Sequence, residues 1–184
     1  MQEKGFTLIE LVIVFSIIAL LSIAGIASFA AFSQRQILIN AVANLRTILN
    51  VARTRTLSQV NGVSPNACTS SEQFGGYVVV VCCNAAGSQT NCPVIPCVGS
   101  DEYDLFETCY SGSNPSYKPI QGGTFSSGIT VSSATTARTF QFTPLTGTVT
   151  YGTGTSLSSG SVILNYSSQG VSSSVTVSSI GAIQ

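Results

Sequence analysis

Two hydrophobic patterns follow one another along the first third of the chain. From Leu11 to Phe32 the residues are apolar nearly all round, and no charge interrupts them between Glu10 and Arg35. Such a segment suits lipid or the core of an assembly. After Gln34 the pattern becomes one-sided. Leu38, Ala41, Val42, Leu45, Ile48, Leu49 and Ala52 recur at helical spacing, with Asn40, Asn44, Thr47, Asn50 and Arg53 opposite them. No proline occurs from Phe6 to Leu57. The two patterns are therefore expected to share one helix, roughly 75–80 Å long at the usual rise of 1.5 Å per residue. Asn61-Gly62 and Ser64-Pro65 are expected to end it.

The pattern then changes period. Tyr77–Cys83, Gly128–Val131, Thr139–Thr143, Gly147–Tyr151, Ser161–Ser167 and Val171–Ser178 read as strands. In the last, Val171, Val175 and Val177 share one face and Ser172, Ser174, Thr176 and Ser178 the other, the alternation of a half-buried antiparallel strand. Ser168-Gln169-Gly170 would close the final hairpin. Between the first two strands, roughly from Asn84 to Pro119, lies a stretch rich in Cys, Pro, Gly and acids, which reads as a loop. The Ser/Thr/Gly richness of the C-terminal half also fits a disordered stalk. The regular Val/Ile/Leu/Phe alternation argues for strands instead.

Composition narrows the function. The chain has 184 residues, enough for one domain and an anchor, with 8% charged residues and zero formal net charge. Binding nucleic acid through overall charge is thereby disfavoured. There is no histidine, which removes Ser-His-Asp and Cys-His catalysis and His-ligated metals. Charge is nonetheless uneven. Arg35, Arg46, Arg53 and Arg55 lie on the second half of the helix with no acid among them, whereas Asp101, Glu102, Asp104 and Glu107 cluster. The two groups either meet or form two solvated faces.

Cys68, Cys82, Cys83, Cys92, Cys97 and Cys109 all fall between the helix and the Ser/Thr-rich half. An even count outside the cytoplasm reads as disulfides whose pairing sequence does not choose. Cys82 and Cys83 end a strand and point to opposite faces, so they are expected to bond to different partners. Cys92-Pro93-Val94-Ile95-Pro96-Cys97 could close a small loop. A Cys-only metal site is the competing reading, without a Cys-x-x-Cys pair to support it.

Glu10 is the anomaly. A carboxylate within a membrane segment costs up to roughly 2.5–3.5 kcal/mol at its centre and less near the end, and points to a function. An ordinary secretory signal, with Lys4 as its positive end and Ser28-Phe29-Ala30 as the cleavage site, does not fit so long an apolar run with an acid in it. A plain anchor with Glu10 favoured by the helix dipole is the other simple reading. The string Met1-Gln2-Glu3-Lys4-Gly5 followed by Phe6-Thr7-Leu8-Ile9-Glu10-Leu11 resembles the type III signal of type IV pilins and pseudopilins. That resemblance implies an α+β fold: a long N-terminal helix, its first half transmembrane, packed on a C-terminal antiparallel sheet domain. It implies cleavage by a prepilin peptidase between Gly5 and Phe6, N-methylation of Phe6, and pairing of Glu10 with the Phe6 ammonium of a neighbouring subunit. It divides the chain into a leader (1–5), a membrane and filament-core segment (6–34) and an outer domain (35–184). The implied partners are the peptidase, other pilin subunits, the inner-membrane assembly platform and the membrane, with no cofactor, metal or specific nucleic acid. The implied location is the cytoplasmic membrane and then a filament. Many major pilins carry a helix-breaking proline in this region, and this chain has Gly25 but no proline.

A second resemblance lies further on. Asn50-Val51-Ala52-Arg53-Thr54-Arg55-Thr56, Phe142-Thr143-Pro144-Leu145-Thr146-Gly147, Ser161-Val162-Ile163-Leu164 and Val177-Ser178-Ser179-Ile180-Gly181 look like the helix end, strand turn and closing strands of the GspH/FimT family. The resemblance implies a minor pilin or a type II secretion pseudopilin, with a major pilin or adhesin and a DNA-uptake pilin as alternatives. Some members bind DNA through an arginine-bearing tail. The tail here, Gly181-Ala182-Ile183-Gln184, has no positive charge, so that role does not carry over.

Overall fold

The computed structural model describes residues 7–60, 67–81, 102–132, 134–152, 159–166 and 170–184, with side chains at 23–28, 30 and 31 also outside the description. The chain divides into two compact units, Met1–Ile37 and Leu38–Gln184. Helix α1 runs Leu8–Leu57. Eight strands follow: β1 (Gln73–Val81), β2 (Tyr103–Ser111), β3 (Asn114–Gly123), β4 (Ile129–Val131), β5 (Thr139–Phe142), β6 (Val149–Tyr151), β7 (Ser159–Tyr166) and β8 (Val171–Ser178). All described pairings are antiparallel. One sheet has the order β3-β2-β1-β5-β6 and the other β4-β7-β8. A helix followed by antiparallel sheets is the α+β arrangement expected.

In the second unit the one-sided pattern of α1 becomes a packed face. Leu38, Ala41, Val42, Leu45, Ile48, Leu49 and Ala52 are buried, and Thr56 extends the row by one turn. Burying a Leu or Ile side chain fully contributes roughly 1.5–3 kcal/mol, so this face dominates the docking of the helix on the sheet. Across it, Tyr77 to Val81 are all buried. A central strand covered on both faces reads as a continuous apolar run for that reason.

The helix stops before the Asn61-Gly62 signal, which lies outside the described residues. Gln59 takes φ 49°. Its N–H donates to Thr56 O at 3.2 Å, and Val60 N–H donates to Arg55 O at 3.2 Å. This pair of bonds is the Schellman closure, made here without glycine. One turn earlier, the Thr56 hydroxyl donates to Ala52 O at 2.7 Å and accepts the Tyr77 N–H at 3.2 Å. Tyr77 follows a bulge at Gly75-Gly76, where the β1–β2 register shifts. Gly76 has φ 98°, and a Cβ there would collide with the Phe142 carbonyl. At the other end of its side chain, Tyr77 donates its hydroxyl to Val60 O at 2.6 Å. Burial, with Glu107 adding to it, pushes the Tyr77 phenol up.

The stretch read as a Cys-rich loop over 84–119 is corrected in its second half, which forms β2 and β3. Their signal was hidden for two reasons. β2 buries Asp104 and Glu107 within its pattern, where sequence reading expects exposed acids. β3 carries Pro115 and Pro119, which are tolerated because it is an edge strand. Two of the four acids of the cluster, Asp104 and Glu107, are thus on a strand. Glu102 accepts the Phe125 N–H at 2.6 Å, and Asp101 lies outside the described residues.

The second sheet closes on the first. Val149 N–H donates to Ser179 O at 2.8 Å, and the Tyr151 hydroxyl donates to Val177 O at 2.8 Å. The last residues then fold back along β8: Thr176 and Gln184 exchange backbone hydrogen bonds of 3.0 and 2.9 Å, and Gly181 makes the bend at φ 79°. Val171–Ser178 pairs with β7 from Tyr166↔Val171 onward. Ser168 and Gln169 of the expected turn lie outside the described residues, and Gly170 takes φ 62°.

The segment before β1 is held by charge. Lys118 Nζ on β3 donates to Glu72 Oε2 at 2.5 Å and to Ala67 O at 2.9 Å. Glu72 also accepts the Thr69 N–H at 2.8 Å. The Lys118 hydrogen bond first, then that of Thr69, holds the Glu72 carboxyl down to about 2.

Two outcomes follow from these contacts. Thr56→Val keeps shape but leaves the buried Tyr77 N–H without its acceptor; urea denaturation should show a loss of about 1–3 kcal/mol, and an unchanged midpoint would refute the role given to Thr56. Glu72 is depressed in the folded state, so its contribution is present above its unfolded pKa and is lost as pH falls from about 4.5 towards about 2. Glu72→Gln should flatten that part of the stability–pH profile while leaving the profile above it unchanged.

A candidate assembly helix and a stapled domain

The first unit is built around the start of α1. Thr7 stands just before the helix. The Glu10 N–H donates to Thr7 O at 3.1 Å and reaches Thr7 Oγ1 at 3.4 Å. Thr7 therefore caps the helix, and Glu10 occupies the third helical position, where a carboxylate is favoured by the positive end of the helix dipole. The spacing Thr7-x-x-Glu10 is that of a capping box. Sequence reading weighed the dipole but missed this cap. Glu10 thus has a local contribution of roughly 0.3–1 kcal/mol. It is exposed and can meet a further partner.

Beyond this turn the large apolar side chains from Leu8 to Leu21 are all exposed, from 47% at Val14 to 83% at Leu8. Phe29 and Phe32 continue the series. The polar side chains between Leu11 and Ser22 are two serines, and neither calls for water. Ser16 Oγ donates to Val12 O and Ser22 Oγ to Ile18 O, each at 2.8 Å. A monomeric soluble protein rarely shows so large an apolar surface, and its presence marks a contact with membrane or protein. Among the described residues no helix is long and apolar enough to cross a membrane. The expected membrane segment over 6–34 therefore rests on the sequence. Gly5 and Phe6, the expected cleavage and methylation positions, lie outside the described residues.

Among the described residues of the second unit one staple is formed. Cys68 and Cys109 are joined, with Cα atoms 5.5 Å apart. The bond ties the segment before β1 to the middle of the sheet and closes a span of 41 residues. Closing such a span contributes typically about 2–4 kcal/mol. Cys82, Cys83, Cys92 and Cys97 lie outside the described residues. Of the arginines, Arg35 and Arg46 are exposed, Arg53 packs near Gly181, and Arg55 acts on Tyr77 from the side opposite in charge to Glu107. Basic helix and acidic strand thus converge on one tyrosine within the domain. The string Phe142–Gly147 makes the turn between β5 and β6: Gly147 N–H donates to Thr143 O at 2.9 Å, with Leu145 at φ 69° and Gly147 at φ 63°.

Comparison with known proteins bears on the first unit. Residues 1–26 match the family model described as the prokaryotic N-terminal methylation motif. No curated protein and no solved structure matches the chain. The matched residues hold the Thr7 cap, Glu10 and the start of the exposed apolar row, and over that segment the chain is similar to the N-termini of type IV pilins and pseudopilins.

Proposed function

We propose that this chain is a minor pilin or pseudopilin of the GspH/FimT type. The observation that carries the reading is the methylation motif at residues 1–26 leading into a helix start whose large apolar side chains from Leu8 to Leu21 are exposed and whose Ser16 and Ser22 are satisfied by their own backbone. In this reading a prepilin peptidase cuts between Gly5 and Phe6, and Phe6 is N-methylated. Residues 6–34 hold the subunit in the cytoplasmic membrane and then enter the core of a pilus or pseudopilus. Residues 35–184 stay outside the cytoplasm. Glu10 pairs with the Phe6 ammonium of a neighbouring subunit, since two opposite charges taken from water compensate each other only when both are in place. The assembly platform and the other subunits are the partners. Further support for the GspH/FimT type comes from the Phe142–Gly147 turn and from Arg53 lying beside Gly181, because both fall on the strings that carry the resemblance. The remaining cysteines are proposed as further disulfides, with Cys82 and Cys83 bonded to different partners.

A major pilin or adhesin is the second reading. It is favoured by the uncharged face of the second sheet, where Ser172 and Ser174 are exposed, and by the staple. Abundance in sheared filaments separates the two. A DNA-uptake role has less support, because Arg53 and Arg55 are engaged within the domain.

Mass spectrometry of the mature chain should find N-methylated Phe6 as the first residue; a start at Ala31 would overturn the reading. Glu10→Ala and Glu10→Gln should leave processing and membrane level unchanged but lower recovery in filaments at least about tenfold, the scale set by one unpaired charge. Thr7→Ala, which weakens only the cap by about 0.5–2 kcal/mol, serves as the comparison. If both Glu10 variants enter filaments as well as wild type, the carboxylate has no role in register.

A further inference from the structure

The strand β2 sets two donor side chains side by side. Glu107 and Cys109 are two residues apart, so they project from the same face. Both are fully buried. Cys68 reaches them from the segment before β1 and is only half-buried, which leaves an approach from solvent. The two sulfurs and a Glu107 carboxylate oxygen all lie within 4.8 Å of one another. Cys68 Sγ also lies 3.7 Å from the Thr108 carbonyl oxygen. In the disulfide form each sulfur has the other as its partner. In the dithiol form, reached before oxidation or by two-electron, two-proton reduction with a dithiol, that partner is lost and two thiols stand beside a buried carboxylate.

We propose that the dithiol form binds a zinc-class divalent cation through Cys68 Sγ, Cys109 Sγ and Glu107, so that metal and disulfide are alternative occupants of one site. The donor set selects the class of metal. Two thiolates suit a borderline-soft cation and disfavour calcium or magnesium, which take oxygen ligands. A tetrahedral zinc needs ligand atoms roughly 3.5–3.8 Å apart, from bonds of about 2.3 Å to sulfur and 2.0–2.2 Å to oxygen. The bonded sulfurs would have to part to that spacing, and a Glu107 carboxylate oxygen already lies within 4.8 Å of both. Three protein ligands leave a fourth position for water. Binding releases the two thiol protons. The negative charge of two thiolates and a carboxylate exceeds that of the cation, and Lys118, the cross-strand partner of Glu107, is already paired with Glu72. The inference does not rest on the filament reading.

The test uses the full chain in detergent, reduced with a phosphine that does not bind metal. Cys82, Cys83, Cys92 and Cys97 are replaced by Ser, so that only the site in question can ligate through sulfur. Zinc is titrated against a chromophoric chelator, and cobalt is used to reveal thiolate-to-metal absorption. About one zinc per reduced chain is expected, and none for the oxidised chain. Adding Cys68→Ser should abolish binding, and Glu107→Gln should weaken it at least about tenfold, as expected for loss of a direct ligand. Zinc binding that survives Cys68→Ser, equal affinity in Glu107→Gln, or no uptake by the reduced chain would overturn the proposal. Should the four-serine background fail to fold, the natural sequence provides a second measurement. Zinc should slow re-formation of the Cys68–Cys109 bond, followed by peptide mapping, and an unchanged rate would overturn it equally.

Discussion

The register of the helix end against the sheet is set by one backbone N–H. The Gly75-Gly76 bulge turns the Tyr77 N–H out of the β1–β2 ladder and into the protein, where an unpaired donor is expensive. The Thr56 hydroxyl accepts it at 3.2 Å. That single bond fixes the register of the last helical turn against the central strand. Neighbouring features then follow. The helix has to stop directly after Thr56, and the Gln59 closure stops it. The chain leaving the helix has to pass the Tyr77 hydroxyl, and Val60 O accepts from it at 2.6 Å. Arg55 and Glu107 are brought to the same ring from helix and strand.

The same helix answers to two different surroundings. Within Leu38–Leu57 most apolar residues keep to one face and are buried there, while Ile39 and Leu57 stay exposed. From Leu8 to Leu21 the large apolar residues go all round and are exposed. Propensity does not separate these halves, since both are good helix. What separates them is where the polar residues sit: opposite a buried row in the second half, and in the first half folded back onto the backbone as at Ser16 and Ser22.

Much of this was legible in the chain because period carries burial. Every apolar residue expected on the packed helix face is buried, and Val171–Ser178 lies where its alternation placed it. The failures share a physical cause. For Asp104 and Glu107 the sequence leaves two readings open, meeting the basic helix or forming a solvated face, because it shows charge and not the partners that allow charge to be buried. β3 was lost because its prolines forbid a central strand but not an edge. The Thr56–Tyr77 bond joins residues 21 apart through a bulge, and neither a period nor a turn signal announces it. The Thr7 cap, by contrast, is present in the Thr-x-x-Glu spacing. The Cys68–Cys109 pairing had no signal in spacing, since it depends on how the segment before β1 meets the sheet.

The serines of the first unit have a consequence for movement between environments. A helix whose hydroxyls point to solvent must trade hydrogen bonds whenever its surroundings change. Here Ser16 and Ser22 carry their partners with them. Between Leu8 and Ser22, Glu10 is then the one side chain whose polar needs depend on what lies outside the helix. Exchange of lipid for protein along this stretch can proceed without rearranging any serine contact, and the energetic difference between the two surroundings is concentrated at a single atom group near one end. Between Leu8 and Ser22 the helix is chemically indifferent except at its first turn, where it discriminates.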